Sequence, residues 1–253
     1  ENSFDAENNN TKTNYLIGSN AFTYTYEYDT MKPESVLKSV TLPTNAFQSV
    51  ENDLLGRTKQ LTLTSSDNSE IRLFHYLKNG LHASNLVSSI WFGKNKNFTD
   101  TLKYRYDEKG NITEVYENAI LQARYSYDSL NRLIREDNKV LNKTTTWEYD
   151  AGGNITNRLE YTFSLSDLSI LSPTVISYRY ASTGNRDRLM SYNNSSITYD
   201  ALGNPTTYLD NTLTWEKGRQ LKSYGSIASF EYNGQGIRTK KTTNNLVTEY
   251  FLD

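Results

Sequence analysis

A short pattern, Tyr-Asp-x-x-Gly-Asn, recurs along this chain and limits more than any other feature how the chain can fold. One copy has asparagine in place of the glycine, and successive aspartates in the middle of the chain lie about 21 residues apart. The copies are Tyr106-Asp107 with Gly110, Tyr127-Asp128 with Asn131, Tyr149-Asp150 with Gly153, and Tyr199-Asp200 with Gly203. Self-similarity at so short a period indicates an array in which one small structural unit is repeated many times.

The residues around each aspartate predict a β-hairpin. Aromatic and polar residues alternate before it, as in Tyr104-Arg105-Tyr106, and this period of two is typical of a strand with one aromatic face. An aspartate at the first position of a turn can accept a hydrogen bond from the backbone N–H two residues on. The glycine three residues after the aspartate suits a positive φ, and asparagine tolerates that conformation next best. The pattern therefore marks the place where one strand turns into the next.

Composition and repeat length together predict an all-β fold. The 253 residues include 20 Tyr, a residue enriched in strands. A unit of about 21 residues provides two strands and two turns, and eight or nine units give roughly 16 to 18 strands. Open sheets of more than about ten strands curl or split because their twist accumulates. We therefore expect a curved, spiralling antiparallel sheet of tandem β-hairpin repeats that forms a partial shell.

The repeat pattern also suggests how the chain is divided. Residues 1–20 are polar and are assigned to a leader that can fray. Residues 21–253 are assigned to a single repeat array, degenerate over 21–103 and regular over 104–253. No Pro-, Ser- or Gly-rich linker divides this array, so we predict one domain.

Charge and composition argue against several function classes. The formal net charge of −2 and the absence of a basic stripe make nucleic acid an unexpected partner. The chain has no cysteine, and its apolar runs are too short for a membrane span. His75 and His82, the two histidines, would face opposite sides of a strand and are not assigned to a metal. We predict no catalytic residue, no cofactor and no metal site.

Two sets of side chains admit more than one interpretation. The repeated aspartates could act as acid pairs for glycoside cleavage, but one aspartate per turn is more typical of turn hydrogen bonding. Trp91, Trp147 and Trp215 could stack against sugar rings or an unfolded guest chain. The same tryptophans could instead pack the sheet through cross-strand pairs. The sequence favours sheet packing without excluding ligand stacking.

The segments "YRYDEKGNITEVYENAILQARYSYDSLNRLIRED" and "ITYDALGNPTTY" resemble the YD or Rhs repeats of bacterial surface and polymorphic-toxin proteins. Similar repeats occur in the Tc-toxin C component, in wall-associated proteins of Gram-positive bacteria and in the teneurins. The resemblance is specific from Tyr106 onward and weaker over residues 20 to 105. The Asp-Pro-x-Gly-type core segment of the family is absent, so no catalytic residue is carried over.

This resemblance implies a function that the residues alone do not supply. Repeats of this family form a spiralling β-sheet shell around a C-terminal toxin or effector domain of a secreted or surface protein. The expected function is therefore a non-catalytic section of such a shell, with the downstream toxin or effector domain as its partner. The alternative is a cell-surface carbohydrate-binding or adhesion module that uses exposed aromatic residues. Exposed strand edges also make a dimer formed through edge strands an expectation.

Overall fold

The computed structural model describes residues 1–17, 19–29, 36–44, 46–66, 68–79 and 82–250, which form strands joined by turns. Seventeen strands pair in one antiparallel sheet. They are β1 Asn2–Phe4, β2 Asn10–Ile17, β3 Asn20–Asp29, β4 Val36–Thr41, β5 Phe47–Asn52, β6 Thr58–Ser65, β7 Asn68–Asn79, β8 His82–Lys94, β9 Asn97–Tyr106, β10 Ile112–Glu117, β11 Ile120–Tyr127, β12 Leu133–Asn138, β13 Lys143–Tyr149, β14 Ile155–Thr162, β15 Thr174–Tyr180, β16 Leu189–Tyr192 and β17 Ser195–Ser196.

Six further strands form a second antiparallel sheet. They are β18 Thr207–Tyr208, β19 Asn211–Glu216, β20 Gln220–Tyr224, β21 Ala228–Tyr232, β22 Arg238–Thr243 and β23 Leu246–Glu249. No helix occurs among the described residues, and accordingly none there is long and apolar enough to cross a membrane. The prediction of an all-β array of tandem antiparallel hairpins is confirmed.

The strands are grouped into two compact units. Unit 1 contains Glu1–Asn131 with Asp137–Leu141, and unit 2 contains Arg132–Glu136 with the chain from Asn142 onward. Residues 1–20, which the sequence assigned to a leader, include strands β1 and β2. The division of the chain into a leader and a single array stays a prediction.

Several hairpins have a β-bulge at the tyrosine that directly precedes the turn. In β9 and β10, Tyr106 pairs with Ile112 whereas Arg105 pairs with Glu114, so one residue of β10 is left without a partner. The same one-residue shift occurs at Tyr149, Tyr180 and Tyr232. A bulge increases the local twist of a strand pair. These hairpins are therefore places where the sheet is more strongly twisted.

The first sheet ends where proline follows a Tyr-Asp turn. In the turn that starts at Asp200, Pro205 occupies the place that Ile112 or Ile155 takes after other turns. Proline has no N–H to donate to a strand ladder. Tyr199 and Pro205 accordingly form an isolated bridge, and the second sheet starts at Thr207.

The protein buries little of its apolar surface. Its accessible surface is 17097 Å², whereas a compact monomer of 29.0 kDa would expose about 11,400 Å². Few apolar side chains of the described residues are buried: Ala46, Ile71, Ala123, Ile176, Ile197 and Leu213. Domains are ordinarily built from two packed layers around one core. The large exposed area indicates sheets that lack a second covering layer.

In each unit we call the sheet face that carries the repeat tyrosines the aromatic face. Cross-strand pairs identify its members, because directly paired residues point to the same side of a sheet. In unit 1 it carries Tyr24, Tyr26, Val40, Val50, Leu61, Phe74, Ile90, Leu102 and Tyr104; in unit 2 it carries Trp147, Ile176, Tyr178, Tyr192, Leu213 and Phe230. Most of these side chains are only half-buried.

Candidate functional site

Each Tyr-Asp turn is held by its aspartate, and the turn at Asp150 shows how. Its Oδ1 accepts hydrogen bonds from the backbone N–H groups of Gly152 and Asn154, both at 2.9 Å. Its Oδ2 accepts a third from the side-chain amide of Asn154 at 3.0 Å. The N–H of Gly153 also donates to the Asp150 carbonyl at 3.1 Å. The carboxylate thus satisfies backbone donors that have no partner in a strand.

The same arrangement recurs at Asp107, Asp200 and Asp5. In each, Oδ1 accepts from the N–H groups two and four residues on, at 2.8 to 2.9 Å. Oδ2 accepts from the asparagine amide four residues on, at 2.8 to 3.0 Å. At Asp53 the guanidinium of Arg57 replaces that amide, with Nε 2.7 Å from Oδ2. One geometry therefore serves several copies of the repeat, including one inside residues 1–20.

The third residue after each aspartate has a positive φ. The values are +87° for Gly110, +92° for Gly153, +82° for Gly203 and +62° for Asn131, which follows Asp128. The N–H of Leu130 donates to Oδ1 of Asp128 at 2.9 Å, as in the glycine-containing turns. A residue with a Cβ rarely adopts φ near +90°, so glycine is required where the backbone takes that value.

Replacing Gly153 with valine is expected to lower the free energy of unfolding by about 2 kcal/mol, because a β-branched residue is strained at this φ. A Cβ at Gly153 would meet no atom within 4 Å, so the effect isolates backbone strain. Gly234 is equally open but has no left-handed φ, which makes Gly234→Val the matched control. Urea denaturation of both variants measures the difference, and equal losses would contradict the turn geometry.

The turn aspartates are more acidic than ordinary aspartates. For Asp107, Asp150 and Asp200, the hydrogen bond from the asparagine four residues on is the largest cause that lowers the pKa below 3.8. A group whose folded-state pKa is lowered stabilises the fold fully above its unfolded-state pKa. That stabilisation is lost as the pH falls through the folded-state pKa. We therefore expect Tm to fall steeply below about pH 4.

Asp150→Asn tests this pH dependence, because the substitution removes the titrating proton and keeps an oxygen that accepts the backbone hydrogen bonds. The chain itself shows this exchange: Oδ1 of Asn233 accepts from the N–H groups of Gln235 and Ile237, both at 3.0 Å. Thermal melts from about pH 7 to 2 should show a shallower acid limb for Asp150→Asn than for the unaltered protein. Glu117→Gln, at an exposed strand end, is the control. Identical acid limbs in all three proteins would contradict the expectation.

The repeat tyrosine links its turn to the turn before it. The hydroxyl of Tyr127 donates to the backbone carbonyl of Ile112 at 2.9 Å, and that of Tyr149 donates to the carbonyl of Leu133 at 2.6 Å. Ile112 and Leu133 are the fifth residues after Asp107 and Asp128. We call this contact a turn latch. In a turn latch, the O–H or N–H of an aromatic side chain before one turn donates to a backbone carbonyl shortly after the preceding turn.

Turn latches follow one another along the described chain with donor–acceptor distances of 2.5 to 3.0 Å. They join Tyr76 to Thr58, Tyr106 to Val87, Tyr127 to Ile112, Tyr149 to Leu133, Tyr180 to Ile155, Tyr199 to Leu189, Trp215 to Pro205 and Tyr232 to Leu221. Burial raises the pKa of Tyr106, Tyr127, Tyr180 and Tyr199, which keeps each hydroxyl protonated and able to donate. Each latch therefore fixes the spacing of two consecutive repeats.

The residue four positions after the aspartate supplies a second link. Where it is asparagine, its amide also reaches the next turn: Asn111 contacts Asn131 Oδ1 at 3.2 Å, and Asn204 contacts the Gly218 carbonyl at 2.7 Å. Where it is arginine, its guanidinium lies over the next latch tyrosine. The guanidinium carbon of Arg132 is 4.6 Å from the ring centroid of Tyr149, within cation–π range.

The three tryptophans have different surroundings in their own sheets. Trp215 occupies a latch position, and its indole N–H donates to the carbonyl of Pro205 at 2.7 Å. Trp147 is half-buried on the aromatic face opposite Arg158. Trp91 lies on the opposite face of its sheet and is 41% exposed, with its ring centroid 5.0 Å from that of His75. Trp91 is thus the tryptophan that leaves most ring surface free.

Sequence reasoning missed several residues of this site. It gave no role to Asn111, Asn154 and Asn204, although the motif places an asparagine at the same distance from each aspartate. It also missed the turn at Asp5, where Phe4 and Asn8 replace the tyrosine and the glycine. It also did not identify the acceptors of the tyrosine hydroxyls, because the distance to these acceptors along the chain varies from 10 to 25 residues.

No group of three or more His, Asp or Glu side chains in the described ranges is arranged to hold a metal ion. His75 lies in β7 beside Trp91, and the side chain of His82 lies outside the described residues. The turn carboxylates are occupied by hydrogen bonds within their own turns. The turn hydrogen bonds and the turn latches can hold consecutive hairpins in register. Together with the strand order, they define a tandem β-hairpin repeat protein.

Comparisons with known proteins agree with this class. Over 136 residues the chain is 34% identical to the tRNA nuclease WapA of Bacillus subtilis and to the tRNA3(Ser)-specific nuclease WapA of Bacillus spizizenii. Each alignment covers 50% of this chain and 5% of the relative, so the chain matches only a small part of those proteins. No protein-family model matches the chain.

Two solved structures share the fold over nearly the whole chain. They are the crystal structure of TcdB2-TccC3-Cdc42, with a TM-score of 0.57 over 95% of this chain, and that of TcdB2-TccC3-TEV, with 0.54 over 94%. The identity is 16% in both, and the match covers 15% of each of those chains. The predicted resemblance to YD/Rhs-repeat proteins is confirmed.

Proposed function

We propose that this chain is a non-catalytic section of a YD/Rhs-repeat β shell that encloses the toxin or effector domain of the same polypeptide. The observation that carries the proposal is the uncovered aromatic face. It presents rows of half-buried aromatic and aliphatic side chains on sheets without a second layer. Large exposed apolar patches mark surfaces that bind a partner. A polypeptide domain that covers this face is the partner that fits best.

The relatives support a toxin as that partner. The two WapA relatives are tRNA nucleases, and the two solved structures contain TccC3. This chain corresponds to a small part of each relative. We therefore assign any nuclease activity to another part of the parent polypeptide. We do not propose nucleic acid as a partner of this chain. The relatives also favour a secreted protein or one displayed at the bacterial surface or cell wall.

Protease protection of the toxin domain tests the proposal. The parent polypeptide is expressed with its repeat region intact, and the rate at which trypsin degrades the toxin domain is compared with that of the isolated toxin domain. We expect slower degradation in the parent. Tyr104→Asp, on the aromatic face, should accelerate degradation, whereas Lys103→Asp, on the opposite face, should not. Equal degradation with and without the repeat region would contradict the shell.

Trp91 supports a second candidate function, a carbohydrate-binding or adhesion surface. Its exposed ring lies on the face away from the repeat tyrosines, next to Thr101 across the strands and near Lys103. An exposed indole beside hydrogen-bonding side chains suits a sugar ring. A glycan array probed with this protein and with Trp91→Ala tests it: a signal that the substitution abolishes supports the surface, and the absence of any signal removes it.

A dimer formed through edge strands remains a further proposal. Strand β23 pairs with β22 alone among the described strands, and all four of its side chains are exposed. Unpaired strand edges promote pairing between chains. Sedimentation of the protein and of a Val247→Lys variant measures it, and a concentration-independent monomer would remove this proposal.

A further inference from the structure

Unit 2 has a charged network on its aromatic face. The Nζ of Lys143 lies 2.8 Å from Oε2 of Glu160, and Nη2 of Arg158 lies 3.3 Å from Oε1 of the same carboxylate. Their cross-strand partners place all three on the side that carries Trp147. Ion pairs elsewhere, such as Arg105 with Glu114 and Lys240 with Glu231, lie on the opposite face. Unlike these two ion pairs, the network lies on the same face as the tyrosines.

The network carries one more positive charge than negative. Lys143 and Arg158 share the single carboxylate of Glu160, whose pKa is lowered chiefly by the hydrogen bond from Lys143 and which therefore remains ionised. The Nε of Arg158 is buried and has no hydrogen-bond partner in the described part of the chain. A guanidinium has five N–H donors in a planar fork. The side chains of Lys143 and Arg158 are 41% and 33% exposed, so their exposed N–H groups can donate to a second carboxylate.

Aromatic residues lie on the same sheet face as the network. The ring centroid of Tyr178 lies 5.3 Å from that of Tyr192, which lies 6.0 Å from that of Tyr208. Burial is the largest cause that raises the pKa of Tyr178, and Arg158 acts on the same hydroxyl by its charge. Trp147 is directly opposite Arg158 across the strands. Hydrogen bonds to ionised groups gain strength where such rings exclude water.

We propose that Lys143 and Arg158 hold the carboxylate of an aspartate or glutamate in the polypeptide that lies on the aromatic face. This inference rests on the proposed function, because it names the chemistry of the partner at that same face. The carboxylate accepts N–H bonds from the free donors of both cations, while apolar neighbours in the partner contact Trp147 and Tyr178. The cluster supplies charge complementarity at a fixed place on the aromatic face of unit 2.

Two matched peptides test the inference with this protein. Both are acetylated, amidated ten-residue peptides of alternating threonine and valine; one has a central glutamate and the other a central glutamine. Titration at low salt, followed by tryptophan fluorescence and by the Nε–H resonance of Arg158, gives both affinities. We expect the glutamate peptide to bind about tenfold more tightly, as for hydrogen bonds to a charged group. Equal affinities, or no binding of either peptide, would overturn the inference.

Substitutions locate the effect. Lys143→Met and Arg158→Met should each reduce the affinity for the glutamate peptide toward that for the glutamine peptide. Arg179→Met removes the same charge from the opposite face and should leave it unchanged; an equal loss in Arg179→Met would overturn the inference. Binding of a glucuronate oligosaccharide in place of the glutamate peptide would overturn it as well, since the partner would then be an acidic glycan. If neither peptide binds while Tyr104→Asp still accelerates degradation of the toxin domain by trypsin, the proposed shell is supported and the proposed carboxylate contact is wrong.

Discussion

Replacing Arg124 with methionine is expected to lower the free energy of unfolding by about 3 kcal/mol, the low end for a buried ion pair that loses one partner. The Nη2 of Arg124 lies 3.0 Å from Oδ2 of Asp137, and its Nε lies 3.1 Å from the same oxygen. The Asp137 side chain is only 2% exposed, whereas that of Arg124 is 35% exposed. The large effect comes from the carboxylate, which stays buried after its cation is removed.

Two further variants separate this cause from a general loss of charge. Lys222→Met breaks an ion pair of 3.8 Å between side chains that are 63% and 36% exposed, and it should change stability by less than about 0.5 kcal/mol. Arg124→Met combined with Asp137→Leu should recover most of the loss, because no buried charge remains. Urea denaturation measures all three. A double variant as unstable as Arg124→Met would contradict this explanation.

Tyr106→Ala is expected to lower the free energy of unfolding by about 3 kcal/mol and Tyr106→Phe by about 1 kcal/mol. The phenylalanine variant keeps the ring and removes the hydroxyl that donates to the Val87 carbonyl at 2.6 Å. Alanine removes the packing of the ring as well. The difference between the two variants therefore separates the turn latch from the apolar contact.

Tyr104 provides the matched control for the latch. It lies two residues earlier in the same strand, on the same face, and is also half-buried. Its hydroxyl has no hydrogen bond among the described residues. Tyr104→Phe should therefore change stability by less than about 0.3 kcal/mol. Equal effects of the two phenylalanine variants would show that the Tyr106 hydroxyl has no special role.

The sequence predicts the hairpins well because their determinants are local. Alternating aromatics, an aspartate at the start of the turn and a glycine three residues on all act within one turn, as at Asp150 and Gly153. The latches join different repeats, and loops of unequal length separate Tyr180 from Ile155 and Tyr199 from Leu189. No fixed spacing reveals such a contact. The repeat has tyrosine before the turn because its hydroxyl donates to a carbonyl of the preceding repeat. The sequence alone does not identify that carbonyl.

The tryptophans show the same limit. Their alternation with polar residues places each on one side of a strand, but the sequence does not say which neighbour its ring or N–H will contact. Trp215 replaces a tyrosine as a latch donor, and Trp91 lies on the other side of its sheet. The partial burial of both follows from strand pairing, which depends on register between segments distant in sequence.

The most direct measurement of the central claim is hydroxyl-radical footprinting of this chain alone and within its parent polypeptide. If the aromatic face covers an enclosed domain, oxidation of Tyr24, Phe74, Tyr104 and Tyr178 should fall severalfold in the parent. Oxidation of Trp91 and Tyr116, on the opposite face, should not change. Equal oxidation of the aromatic face in both samples, or protection confined to Trp91 and Tyr116, would contradict the account.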